Sequence, residues 1–113
     1  MNTVLWPVAA RLVAALNAAN GDGEQERAMR LLKVTEEAGE AAAAYIGVTG
    51  QNPRKDTTHT AKDVADELCD VIIAAAVALH SFTEHPPAAL DLKLFTAAQR
   101  LNAATAAGQQ GAR

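Results

Sequence analysis

The stretch Thr60-AKDVADELCDVIIAAAVA-Leu79 decides how this chain folds. It holds no Gly or Pro, and its alanines and leucines favour helix. It also changes character half-way along. Asp63, Asp66, Glu67 and Asp70 crowd its first half, whereas residues 71–79 carry no polar group at all. Stepping about 100° per residue from Asp63, Glu67 falls at about 40° and Asp70 at about 340°. Ala74, Val77 and Ala78 occupy that same stripe one and two turns later. A solvated face would stay polar along its length. This one turns apolar directly after Asp70 and stays so on every side, the pattern of a buried central helix. At its start, Thr60 and Asp63 have the spacing of a capping box, with Asp in place of the usual Glu or Gln.

The acids of this helix pair at spacings of three or four, where like charges repel by roughly 0.2–0.5 kcal/mol each. No base follows them on the helix. Glu67 and Asp70 are expected at the edge of a core, where a carboxylate must be neutralised, paired or metal-bound. Ligands that are all oxygen select hard cations, Mg²⁺ first and Mn²⁺ next, over zinc.

Upstream, residues 24–46 read as a second helix with acids in its first turn, where the helix dipole favours them. Glu36, Glu37 and Glu40 share a face with Arg30 and Lys33, and Leu31, Val34, Ala38, Ala42 and Ile46 lie opposite. Read alone, this is an amphipathic helix whose glutamates face solvent with Arg30 and Lys33 as partners. Read with the third helix, the two sets of acids look gathered. Residues 7–20 form a first helix, with Pro7 at its tolerated opening position and Asn20-Gly-Asp-Gly23 as its stop. The connection VTGQNPRKDTTH (48–59) exceeds the roughly 2–8 residues usual between bundle helices. After His85-Pro-Pro87 a fourth helix covers residues 88–106. The expected organisation is all-α, one helical domain over residues 1–107 built of antiparallel hairpins, with a flexible tail at 108–113.

Composition narrows the function. The chain has 113 residues and a net charge of −3 with scattered Lys and Arg, which excludes a groove for a nucleic-acid polymer. Its one cysteine, Cys69, rules out an internal disulfide, fits a reducing compartment and reads as core packing. No apolar run approaches the about 20 residues that span a bilayer, and the N-terminal stretch, which contains Pro7 and Arg11, reads as part of the domain rather than a signal peptide. No membrane partner and a cytoplasmic location are expected. His59, His80 and His85 form no Glu-x-x-His pair, which argues against a di-iron carboxylate bundle. Four short helices, one nearly all apolar, leave surface that a homodimer would cover.

Glu36-Glu37-Ala-Gly-Glu40 followed by Glu67-Leu-Cys-Asp70 resembles the EExxE…ExxD signature of the MazG-like, all-α nucleoside triphosphate pyrophosphohydrolases. The flanking words Leu32-Lys33-Val-Thr and Val71-Ile72 fit as well, and the resemblance covers residues 28–79. It implies a four-helix MazG-like bundle completed by dimerisation or tetramerisation. It further implies cleavage of a nucleoside triphosphate between its α and β phosphates, giving a monophosphate and pyrophosphate. Mg²⁺ (or Mn²⁺) would be held by Glu37, Glu40, Glu67 and Asp70. Glu36 would lie beside the metal to orient or deprotonate water, making Glu36 and Glu37 the catalytic pair. Lys33 offers either an ion pair to these glutamates or a phosphate contact. Arg54 and Lys55 either close over a triphosphate or remain solvated loop charges. Asn52 and Trp6 could contact base or ribose, with core or interface packing the alternative for Trp6 and Tyr45. Lys93 falls where relatives carry a phosphate-binding lysine in an Asn-x-Lys-Phe-like segment. Here that segment reads Asp91-Leu-Lys93-Leu94 and departs from the pattern. The activity implied is housecleaning of the nucleotide pool. The alternatives are a phosphoribosyl-ATP pyrophosphohydrolase-like enzyme and a catalytically silent helical interaction protein.

Overall fold

The computed structural model describes residues 4–111. Four helices follow one another: α1 (Leu5–Asn20), α2 (Glu24–Thr49), α3 (Ala61–Leu79) and α4 (Pro86–Gly111), with no strand among the described residues. The chain divides between Phe82 and Thr83 into two units. In the first, α2 packs along α3, and α1 packs on α3. Among the described residues no helix is long and apolar enough to cross a membrane.

Local chemistry explains where each helix stops. Gly21 (φ 77°) turns the chain after α1, its N–H donating to the Asn17 carbonyl at 2.8 Å. Gly50 ends α2, whose last residue, Thr49, lies three beyond the expected end at 46. This glycine takes the left-handed conformation (φ 66°) that glycine adopts without penalty, and its N–H donates to the Ile46 carbonyl. Gly47 serves another purpose. The loop folds back so that the Thr58 N–H donates to the Gly47 carbonyl at 3.0 Å, and a Cβ at position 47 would overlap the His59 ring.

The capping box at the start of α3 forms as its spacing suggests. The Thr60 N–H donates to Asp63 Oδ2 at 2.8 Å, and the Asp63 N–H donates to Thr60 Oγ1 at 3.4 Å. The helix ends at Leu79, followed by a turn over residues 80–82. In the second unit, α4 starts at Pro86, earlier than the proline pair suggested. Both prolines sit in the first turn, where a missing N–H leaves nothing unsatisfied. The helix continues to Gly111, through the first part of the segment expected as a tail.

The interior of the first unit is built from small residues. Ala9 of α1, Ala41 and Ala44 of α2, and Ala74, Ala76, Val77 and Ala78 of α3 are buried, together with Arg30 and Glu37. No large side chain among the described residues is fully buried. Small side chains on both α2 and α3 let the two backbones approach closely.

The rotation of α2 differs from the amphipathic reading. Its inward seam is Arg30, Val34, Glu37, Ala41, Ala44 and Val48, a run spaced alternately by four and three residues. The stripe expected to face the core stands largely free, with Leu31 50% and Ile46 51% exposed. The physical reason lies across the seam. α3 turns its Glu67–Asp70 stripe toward α2, and α2 answers with the arc that carries Glu37. On α3 the flank bearing Leu68 and Ile72 is likewise exposed, and so is Cys69, which packs no core.

Candidate metal centre

Of the four acids in the first half of α3, two are used locally. Asp63 caps the helix, and hydrogen bonding from the Thr60 backbone N–H is the main cause holding its carboxyl below the usual range. Asp66 faces Lys62, one turn upstream, at 2.8 Å in an exposed ion pair. That leaves Glu67 and Asp70, one turn apart. The antiparallel approach of α2 brings Glu37 to them, and one carboxylate oxygen from each of the three lies within 4.8 Å of the others.

Burial makes this grouping unusual. Glu37 is only 8% exposed, Glu67 is half-buried and Asp70 is exposed. Glu37 Oε2 and Glu67 Oε2 are both buried with no hydrogen-bond partner. An unpaired buried carboxylate oxygen forfeits hydration that nothing replaces, and such atoms are rare in folded proteins. Glu40 stands at the rim, exposed, yet close enough for the charge on Glu37 to push its carboxyl upward. The charge on Glu67 adds to the shift. All four acids expected as ligands therefore come to one place, three as a tight group and Glu40 beside it.

Lys33 is the local counter-charge. Its ammonium lies 2.6 Å from Glu36 Oε1 and 3.1 Å from Glu37 Oε1. Hydrogen bonding to Glu36 first, and to Glu37 second, raises its proton affinity. Lys33 thus grips one oxygen of Glu37, and the other, Oε2, is buried without a partner. Glu36 is more than half exposed and held by Lys33. It borders the group without joining it.

Arg30 is the residue that sequence reasoning misplaced. Expected on a solvated face, it is 5% exposed. Its Nε donates to Glu26 Oε2 at 2.9 Å, and its Nη2 donates to Asn17 Oδ1 at 2.9 Å and to the Gly21 carbonyl at 3.2 Å. The Glu26–Arg30 spacing was a signal for this role, but Asn17 and Gly21 become its partners only through the fold.

A cleft of about 360 Å³ runs from the acid group toward Arg30. α1 contributes Leu12 and Leu16 to it, α3 contributes Ile73 and Val77, and Glu37 and Asp70 close one end.

Within the first unit, the other expected contacts lie outside this cleft. Asn52 shapes its own turn, its Oδ1 accepting from the Arg54 N–H at 3.1 Å and its carbonyl from the Lys55 N–H at 3.0 Å. Lys55 lines a separate hollow with Asn52, Gly47 and His59, and the Arg54 side chain is exposed. Trp6 packs its ring 6.1 Å from that of His80 and is not part of the cleft wall. Tyr45 is exposed. Lys93 belongs to α4, in the second unit.

No protein-family model matches the chain, and neither a curated protein nor a solved structure does.

Proposed function

We propose that this chain is a Mg²⁺-dependent nucleoside triphosphate pyrophosphohydrolase of the MazG-like kind, acting on the cytoplasmic nucleotide pool. The observation that carries this reading is the pair of bare, buried oxygens, Glu37 Oε2 and Glu67 Oε2, on two helices within one acid group. An all-oxygen donor set suits a hard divalent cation, and a cation that reaches these atoms satisfies both. Glu37, Glu67 and Asp70 would hold it, with Glu40 completing the set. The metal, when bound, offsets the triphosphate charge and activates water for attack on a phosphorus.

The residues of the chain supply the rest. Lys33 keeps the Glu37 carboxylate turned toward the group. Glu36 would accept a proton from the attacking water, since a carboxylate beside a metal-bound water is an effective general base. Its Oε1 is engaged by Lys33, so proton transfer to that atom requires Lys33 to leave it, and the arriving phosphates give the ammonium a second anionic partner.

Self-association belongs to the same reading. The wheel puts Leu31, Ala38, Ala42 and Ile46 of α2 on the same side of the α2–α3 hairpin as Leu68 and Ile72 of α3. That side is opposite α1 and the cleft. Exposed aliphatic side chains gathered on one face mark an interaction surface, and a second copy would bury it.

Release of pyrophosphate from a panel of ribo- and deoxyribonucleoside triphosphates with Mg²⁺ tests the activity. Turnover is expected in the wild type and is expected to vanish in Glu37→Gln and Asp70→Asn while the helical circular dichroism persists. Unchanged turnover in either variant removes the assignment.

A further inference from the structure

We infer that the small polar hollow where α1 ends, α2 begins and α3 ends binds free inorganic phosphate, and that it recognises the anion by the protons it carries. The hollow shares Arg30 with the cleft but contains none of Glu37, Glu67 and Asp70. Its occupancy therefore needs neither the metal nor the triphosphate reading above. Its volume is about 100 Å³, against the roughly 300–1,000 Å³ of pockets for drug-sized ligands. A small ion fits; a nucleotide does not.

Donors come first. Arg30 forms part of the wall, 5% exposed, with Nε and Nη2 held by Glu26, Asn17 and Gly21. Its Nη1 makes no hydrogen bond among the described residues. Arg27 lines the same hollow from one turn earlier on α2 and enters no ion pair among the described residues. Asn17 gives its Oδ1 to Arg30, which leaves its Nδ2 as a donor. Guanidinium and amide N–H groups around so small a space match the oxygens of a tetrahedral oxyanion.

The acceptors say which oxyanion. Asp22 lines the hollow with Arg27, yet the two form no ion pair. His80, also in the wall, has its Nδ1 2.8 Å from the Ala76 carbonyl. A carbonyl only accepts, so the proton sits on Nδ1 and the neutral ring offers Nε2 as an acceptor. Sulfate, which has no proton to give, meets lone pairs at both places. Inorganic phosphate keeps one or two protons at neutral pH. Its P–OH groups can donate to Asp22 and His80 while its other oxygens accept from Arg27, Arg30 and Asn17. Glu26 and Asp22 offset the two guanidiniums, so the hollow selects by hydrogen-bond pattern rather than by net charge. A site built to pair with an O–H group rejects the analogue that lacks it.

The test is titration of the full chain with phosphate, sulfate and methyl phosphate at neutral pH, followed by calorimetry and by the side-chain NMR signals of His80 and Arg30. EDTA is present throughout, so that no divalent cation can carry phosphate to the acid group. Methyl phosphate, with an ester carbon where phosphate has an O–H, separates free phosphate from a phosphate ester. Phosphate is expected to bind and to shift both sets of signals, with sulfate and methyl phosphate weaker by at least about tenfold. Asp22 and Arg27 are exposed, so their variants should keep the fold, checked by circular dichroism. Arg27→Gln should weaken phosphate by at least about tenfold, and Asp22→Asn should bring sulfate level with phosphate.

Sulfate or methyl phosphate binding the wild type as tightly as phosphate would overturn the proton-based recognition, as would a phosphate preference that survives in Asp22→Asn. Unchanged phosphate affinity in Arg27→Gln, or phosphate that binds without moving the His80 and Arg30 signals, would place the anion elsewhere and remove the site. No binding of phosphate at all removes it outright. None of these results touches the metal centre, whose own test is pyrophosphate release.

Discussion

Replacing Glu67 by glutamine should make the metal-free protein more stable while removing most of its response to Mg²⁺. Glu37 and Glu67 offer oxygens within 4.8 Å of each other. Two unit charges at that separation repel by about 3.5 kcal/mol at an effective dielectric of about 20. Asp70 is exposed, so water and salt screen its share. The Glu37–Glu67 pair dominates.

A glutamine at position 67 removes the charge and can donate its amide to Glu37 Oε2. A net gain of about 1–3 kcal/mol is expected, or a melting temperature higher by roughly 4–12 °C at about 4 °C per kcal/mol. Thermal melts in EDTA and in Mg²⁺ provide the assay. At a Mg²⁺ concentration of about 100 times Kd, binding stabilises the wild type by about 2.7 kcal/mol, and Glu67→Gln should lose most of that. Asp66→Asn is the control: one residue away, exposed and paired with Lys62, it should change stability by less than about 0.5 kcal/mol. A lower melting temperature for Glu67→Gln in EDTA, or a full Mg²⁺ response, would refute the reasoning.

Arg30→Ala should destabilise the protein by about 3–5 kcal/mol, since it strips partners from Glu26 and Asn17 in a buried network; urea titration reads this directly, and a loss below about 1 kcal/mol would show the network to be dispensable. Gly47→Ala should lift the loop off α2, because a Cβ there meets the His59 ring and comes within 2.6 Å of Thr58 Oγ1; faster amide exchange at Thr58 and Val48 is expected, and unaltered protection would contradict it. In EDTA, stability should rise on acidification from pH 7 and then fall. Glu40 is raised above its ordinary 4.5, so the native state binds the extra proton and stability is lost as pH climbs through that window. Asp63 is lowered below its ordinary 3.8, so its contribution is present above that value and disappears as pH drops through its depressed one. Glu40→Gln should flatten the first limb in urea midpoints taken across pH 3–7, and a limb that persists would locate its cause elsewhere.

Much of this was legible before any coordinates. The helices are punctuated by Gly21 and Gly23, by Gly50 and by the proline pair. The Thr60–Asp63 box announced the start of α3. The convergence of Glu67 and Asp70 with acids of α2 could be argued from a stripe that turns apolar one step after Asp70. Two things could not be read. A wheel finds the broadest apolar arc of α2, Leu31 through Ile46, but it does not reveal which arc the neighbouring helix will meet. That depends on α3 presenting acids at the contact. Arg30 was missed for a related reason: its partners Asn17 and Gly21 lie thirteen and nine residues away, beyond the reach of any i,i+4 rule.

Arg30 and Glu37 are two buried charges held in different ways. Both sit on the inward seam of α2, seven residues apart, and both are among the most buried residues of the chain. Burying either costs free energy unless it is compensated. Arg30 is compensated by three hydrogen bonds, as expected of a charge that holds the α1–α2 turn together. Glu37 is compensated on one oxygen only, by a lysine it shares with Glu36, while the other is buried without a partner, as is Glu67 Oε2. Selection for folding alone would place an alanine at position 37, as at Ala41 and Ala44 further along the same seam. Sequences break local rules of this kind chiefly where function demands it. The half-satisfied state of Glu37, set beside the three hydrogen bonds of Arg30 in the same chain, is the argument for proposing a ligand at the acid group rather than a role in the fold.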